Sequence, residues 1–161
     1  MTFFGVGPVF VACCIALTVG SIATATAVVP QATIHAPWLR AVCAGIGVLL
    51  IAAGVALWCA AMFAAKLPKV YAESGLVTTG VFAVVRNPIY TAFMLACTGV
   101  TLIFGNVCCF PIFFVYWALL TVLVKRTEEL WLAKQFGSDY TAYCARTNRA
   151  LPWFPKKPQL D

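Results

Sequence analysis

Two short polar clusters in an otherwise apolar chain hold the residue types that could do chemistry: Arg86-Asn87-Pro88-Ile89-Tyr90 and Arg126-Thr127-Glu128-Glu129. Brought together at one water-facing mouth, these carboxylates, guanidinium groups and amide would look like a site. Residues 89–124, which separate them, contain no Asp, Glu, Lys or Arg. Gly105-Asn106, near the middle of that stretch, is a natural break between two helices. At about 1.5 Å rise per residue the outgoing limb covers roughly 25 Å and the return limb roughly 27 Å. Both lengths are close to the ~30 Å hydrocarbon thickness of a bilayer. The hairpin is therefore expected to return Glu128 and Glu129 to the membrane face where Arg86 and Asn87 began.

Each cluster also has a plainer reading. Pro88 can open a helix at N1 with Asn87 as its N-cap, Arg86 can snorkel to lipid phosphate, and Tyr90 can sit in the aromatic belt. The glutamates can be a solvated helix face with Lys125 as partner. Successive helical residues differ by about 100°, so only one glutamate can point squarely into a cavity. The forced proximity of the two clusters favours a site over two independent surface features.

The elements that must position these residues are membrane helices. Hydrophobic residues make up 63% of the chain and charged residues 10%, with a mean hydropathy of +0.94; soluble domains run at about 45–50% and about 25%. The fold class is all-α, an integral membrane protein of about four transmembrane helices with a helical cytoplasmic C-terminal segment. The expected spans are Pro8 to Val29, Trp38 to Ala65, Pro88 to Phe104 and Val107 to Val124. The last two lie at the lower edge of the ~17–25 residue range. The first span lacks a basic n-region and is longer than a signal peptide's apolar run, so it is expected to remain as a helix. Ala41, Gly45, Gly47 and Gly54 give the second span small positions for close packing.

Ten of the eleven Lys and Arg lie either between the second and third spans or after the fourth. The positive-inside bias makes that side cytoplasmic, with both termini and the site on it. The net charge of +6 sits where anionic lipids meet it and needs no nucleic-acid partner. The eight cysteines form no C-x-x-C, and His35 stands alone in the outer loop, so they read as packing residues with no metal site. Lys66 to Val85, with Lys69, Tyr71, Glu73 and Thr78-Thr79-Gly80, lacks helical periodicity. Irregular backbone beside a membrane must be buried in protein or line a wet cavity, which makes the segment a candidate ligand lining. Beyond Val124 the fourth helix is expected to continue, to end at Gly137, and to give way to a short helix from Asp139 to about Arg146. Pro152 stops that helix, and Trp153-Phe154 is expected at the interface. No internal repeat divides the chain, so residues 1–161 read as one domain.

Thr78-Thr79-Gly80-Val81-Phe82, then Val85-Arg86-Asn87-Pro88-Ile89-Tyr90, resembles the helix entry of the isoprenylcysteine carboxyl methyltransferase and phospholipid methyltransferase families. Arg126-Thr127-Glu128-Glu129, then Phe136-Gly137, Tyr140, Tyr143, Arg146 and Leu151-Pro152, resembles their cytoplasmic end. The matched region, Gly75 to Phe154, covers about half the chain, with residues 78–154 as the cofactor half. The resemblance implies a membrane enzyme that takes S-adenosyl-L-methionine from the cytosol and a lipophilic small-molecule or prenylated acceptor from the lipid bilayer. Carried over, Arg86, Asn87, Tyr90, Glu128 and Glu129 are cofactor contacts, and Leu76, Val77, Gly80 and Val81 line the adenosine pocket. Arg86 and Glu129 are the catalytic candidates. The chain departs from the family pattern at Asn87, where the families usually have His, and at Ala92, where they usually have Gly. Asn can hydrogen-bond but cannot titrate, so a proton-shuttling role there is in doubt.

The acceptor stays open between two chemistries. A prenylcysteine carboxylate is ionised near neutral pH, with a C-terminal pKa of roughly 3.3–3.7, and needs no base. A phospholipid amine must first lose a proton, which would call on Glu128 or Glu129. Asn87 and the Leu151-Pro152-Trp153-Phe154 ending lean to the carboxylate, and the small size suggests a bacterial inner-membrane chain. A non-enzymatic membrane binding subunit is the third reading. No G-x-G-x-x-G occurs, so a Rossmann methyltransferase domain is excluded.

Overall fold

Prolines and glycines set most of the boundaries in the computed structural model, which describes residues 6–65 and 75–152. Helix α1 runs Gly7–Val28 and α2 runs Pro37–Ala65, joined by a 3-10 turn at Pro30–Ala32. A single turn, α3 (Val81–Val84), precedes α4 (Pro88–Phe104), which has Pro88 at its first helical position. A 3-10 turn at Val107–Cys109 leads into α5 (Ile112–Arg126), and α6 spans Glu128–Arg146. The described residues contain helices and two isolated β-bridges. Lys66, Lys69, Tyr71 and Glu73, and Trp153-Phe154, lie outside the described residues.

Three runs are long and apolar enough to cross a bilayer: α1, α2 and Val107–Arg126. The fourth expected span, α4, has 17 residues and falls just short of that length. Its C-terminal end matches the expected break. Gly105 adopts φ +74°, a left-handed conformation that favours glycine. Asn106 then serves both sides of the turn, accepting from Cys108 N (3.0 Å) and donating to Val29 O (3.0 Å). Ile34 N donates to Gly105 O at 2.8 Å, so the α1–α2 loop is sewn to the hairpin turn.

Helices α2 and α4 meet backbone to backbone. A methyl added at Gly47 would lie 2.6 Å from Gly99 O, and one added at Gly54 would lie 2.7 Å from Ala92 O. In a membrane such close approach replaces the hydrophobic drive that lipid cannot supply. Gly47 and Gly54 thus belong to the seam, whereas Gly45 has open space around it and Ala41 is exposed. On the opposite side of α4, Phe10 and Cys14 of α1 pack with Met94, Cys97, Tyr116, Leu120 and Val124. Thr18 and Tyr116 share a hydrogen bond at 2.7 Å, which satisfies both hydroxyls in the apolar interior.

The end of the bundle differs from expectation in one respect. The last spanning helix does not run on unbroken, because Thr127 (φ −128°, ψ −77°) separates α5 from α6. Glu128 and Glu129 therefore occupy the first turn of a new helix, where carboxylates suit the positive end of the dipole. Gly137 (φ +51°, ψ −120°) kinks α6 where the chain was expected to end one helix and start the next.

Candidate active site

The hairpin brings the two polar clusters into contact. Arg86 Nη2 lies 3.2 Å from Glu129 Oε1, with the two side chains 10% and 14% exposed. Glu129 is also held by a second cation. Arg149 Nε reaches Oε1 at 2.7 Å and Nη2 reaches Oε2 at 2.9 Å, a bidentate fork. That hydrogen-bonded pairing, opposed by burial, raises the Arg149 pKa above its ordinary value. Arg86 continues the network, with Nη1 3.5 Å from the Tyr140 hydroxyl and a further hydrogen bond to the Cys144 sulfur. Its Nε is buried and has no hydrogen-bond partner.

Glu128 faces the other way. Its Oε1 accepts from the Tyr90 hydroxyl at 2.6 Å and from Val6 N at 3.1 Å, joining α6 to α4 and to the start of α1. Neither glutamate is therefore a freely solvated group paired with Lys125, and the two carboxylates serve different neighbours, as adjacent positions on a helix dictate.

A strand-like passage after α6 locks the helix entry in place. Arg86 N donates to Asn148 O at 2.9 Å. Asn87 Nδ2 donates to Arg149 O at 3.0 Å, and Thr91 Oγ1 donates to Ala150 O at 2.7 Å. Asn87 holds the N-cap position of α4, yet its side chain makes no cap bond and spans to residue 149 instead. The Tyr143 hydroxyl donates to Phe82 O at 2.6 Å. Burial, the largest cause, raises the pKa of Tyr140 and of Tyr143, so both phenols stay neutral well past physiological pH.

Two cavities meet at this network. The larger, about 740 Å³, runs between α1 and the entry of α4, and includes Pro88, Ile89, Tyr90 and Glu128. The smaller, about 490 Å³, is lined by Leu76, Val77, Trp131, Gln135, Phe136 and Tyr140 among others. Phe82, Arg86, Asn87 and Leu132 border both. Both volumes fall in the roughly 300–1,000 Å³ range of small-molecule sites.

The sequence-derived site residues divide accordingly. Leu76 and Val77 line the smaller cavity, Tyr90 and Glu128 the larger, and Arg86 and Asn87 both. Glu129 lines neither and sits behind Arg86 as its counter-ion. Gly80 and Val81 are not brought to either cavity. Gly80 is exposed at φ +61°, ψ −131°, where it makes the turn into α3. Arg126, the first residue of the second motif, is exposed, and the second cation of the network is Arg149.

Similarity to known proteins bears on the same region. The family model described as phospholipid methyltransferase matches residues 42–139, which include Arg86 and both glutamates. The chain belongs to this family. The family is that of the isoprenylcysteine and phospholipid methyltransferases. It is similar to a protein-S-isoprenylcysteine O-methyltransferase of Schizosaccharomyces pombe, 32% identical over 81 residues, covering 50% of this chain and 34% of the relative. The chain thus spans about a third of the length of the curated relative it matches. No solved structure matches.

No motif in the sequence marks Arg149. The nearest signal was its place two residues before Leu151-Pro152, but nothing local distinguishes it from Arg146, which is exposed. Only the return of residues 147–150 beneath α4 selects it. Cys14, Cys43, Cys97 and Cys109 are buried, Cys108 is exposed, and Cys144 touches the guanidinium of Arg86. Among the described residues no group of three metal-ligating side chains occurs.

Proposed function

We propose that this methyltransferase binds S-adenosyl-L-methionine in the smaller cavity and a lipophilic carboxylate acceptor, of prenylcysteine type, in the larger one. The observation that carries the reading is the shared wall: Arg86 and Asn87 border both cavities, so a donor and an acceptor could meet there. When bound, the cofactor supplies a methyl group on a sulfonium for in-line displacement, a reaction that needs positioning and exclusion of water more than acid–base help.

The residues present fit that cofactor. Trp131, Phe136, Tyr140 and Tyr143 offer aromatic faces for an adenine ring, with Leu76 and Val77 opposite the helix. Arg86 Nε, buried and without a partner, is a donor available to a carboxylate. Glu129 and Arg149 hold the Arg86 guanidinium in place, so Glu129 acts as a positioning residue in this reading. The lipophile is expected to enter from the bilayer, with α4 as a fourth crossing and the site and both termini cytoplasmic, in the inner membrane of a bacterial cell. Residues 1–161 then form one catalytic unit.

One observation favours a second acceptor. Glu128 lines the larger cavity, where a carboxylate could accept a proton from a phospholipid amine. Transfer of labelled methyl from S-adenosyl-L-methionine to N-acetyl-S-farnesylcysteine, set against transfer to phosphatidylethanolamine, decides between the two. Calorimetry with S-adenosylhomocysteine on detergent-solubilised protein tests the donor half. Binding should be seen in the parent and be weakened in Trp131→Ala, and no binding in the parent would return the chain to a non-enzymatic role.

A further inference from the structure

We propose that one face of α1 is the groove for the acceptor's tail, and that it selects a single-tailed lipophile by the length and width of that tail. The inference rests on the larger cavity being the acceptor side. Helix α1 carries two distinct stripes. Phe10, Cys14 and Thr18 point into the core. Gly7, Pro8, Val11, Ala12 and Ile15 line the larger cavity, at the spacing i, i+1, i+4, i+5, i+8 that makes one helical face.

Polarity is confined to one end of that cavity. Arg86, Asn87, Tyr90 and Glu128 stand at the entries of α4 and α6, whereas every α1 residue in the lining is apolar. From Gly7 to Ile15 the helix advances about 12 Å. Half the hydrocarbon thickness is ~15 Å. A ligand with its head at Arg86 would therefore lay its tail along α1 almost to the bilayer midplane, as a lipid lies in its own leaflet. Pro8, Ala12 and Ile15 are exposed, so the groove opens sideways to lipid. Its α1 wall is one helical stripe wide, which suits one chain better than two. Gly7 keeps the polar end open: a methyl there would sit 3.3 Å from the Tyr90 ring. The α1 wall lies outside the family match at residues 42–139.

The test is photocrosslinking in nanodiscs with an N-acetyl-S-farnesylcysteine analogue that carries a diazirine on its tail, read by mass spectrometry. Adducts should map to Val11–Ile15 and be competed by unlabelled N-acetyl-S-farnesylcysteine. Ala12→Phe fills the groove and should lower the yield about tenfold, equivalent to ~1.4 kcal/mol, while Val19→Phe should change it by less than about twofold. Val19 is 63% exposed and lies outside the groove lining. Uncompeted adducts spread along α1 to Val19, or equal yields from the two variants, would overturn the proposal. Calorimetry with S-adenosylhomocysteine on Ala12→Phe confirms folding and should match the parent. Localised, competed crosslinks in a parent that binds no S-adenosylhomocysteine would support the groove and reject the donor reading, so the two failures are distinguishable.

Discussion

The seam between α2 and α4 and the junction at the start of α6 hold the protein together by opposite means. At the seam, Gly47, Gly54 and Gly99 remove side chains so that backbones touch, and nothing there is charged. At the junction, Arg86, Glu129 and Arg149 bury charge against charge, with Tyr140 and Cys144 completing the contacts of Arg86. Added volume at the seam and lost charge at the junction are therefore the changes expected to destabilise each region most. The difference teaches where function can reside: the seam positions α4, while the junction presents a buried polar group, Arg86 Nε, without a hydrogen-bond partner among the described residues.

The sharpest way to break this contrast is Glu129→Ala. Removing one partner from a buried ion pair costs about 3–5 kcal/mol. Arg149 is 26% exposed, so a loss near the low end, about 3 kcal/mol, is expected from thermal melting in detergent. A variant that melts with the parent would show the network to be inert. Gly99→Val is the matching insult to the seam, worth about 2 kcal/mol by overpacking. Its remaining folded fraction should bind S-adenosylhomocysteine like the parent, and a selective loss of binding would erase the division between scaffold and site.

A smaller effect is expected from Arg86→Lys, which keeps the charge and loses the fork. Affinity for S-adenosylhomocysteine should fall by about 1.5 kcal/mol, the low end for a hydrogen bond to a charged group, with melting little changed. Equal affinity in a folded variant would leave Arg86 a structural partner of Glu129 and remove it from the cofactor contacts. Glu128→Gln should scarcely move the same measurement, because Glu128 borders only the larger of the two cavities.

The smallest loss of stability belongs to Tyr143→Phe, which deletes the bond to Phe82 O at a cost of about 1 kcal/mol. It also has a pH signature. Burial raises the folded-state pKa of Tyr143 above its ordinary value, so its contribution is complete below about pH 10 and fades as pH rises beyond, where the unfolded tyrosine ionises first. The parent's melting temperature should therefore fall more steeply above about pH 10 than that of Tyr143→Phe. Parallel curves would show that Tyr143 is not buried as described.

Much of this molecule was legible before folding because the relevant physics is local or one-dimensional. Uninterrupted apolar runs mark the helices, Gly105-Asn106 marks the turn between α4 and α5, and limb length alone carries Glu129 back to Arg86. The break at Thr127 was not legible, since no proline or glycine announces it and its hydroxyl simply bonds back to Leu123 O. Nor could Gly80 and Val81 be separated from Leu76 and Val77, because which part of an irregular segment lines a cavity depends on what packs against it.

By itself the sequence determined the class, the helices and the meeting of the two clusters, because hydropathy and rise per residue act along the chain. Tertiary structure alone decided which glutamate serves which neighbour, that Arg149 is the second cation, and that α1 walls the larger cavity. Those outcomes follow from contacts between residues 20 to 122 positions apart, and the direction of a side chain across such a gap is set by packing rather than by any pattern in the residues themselves.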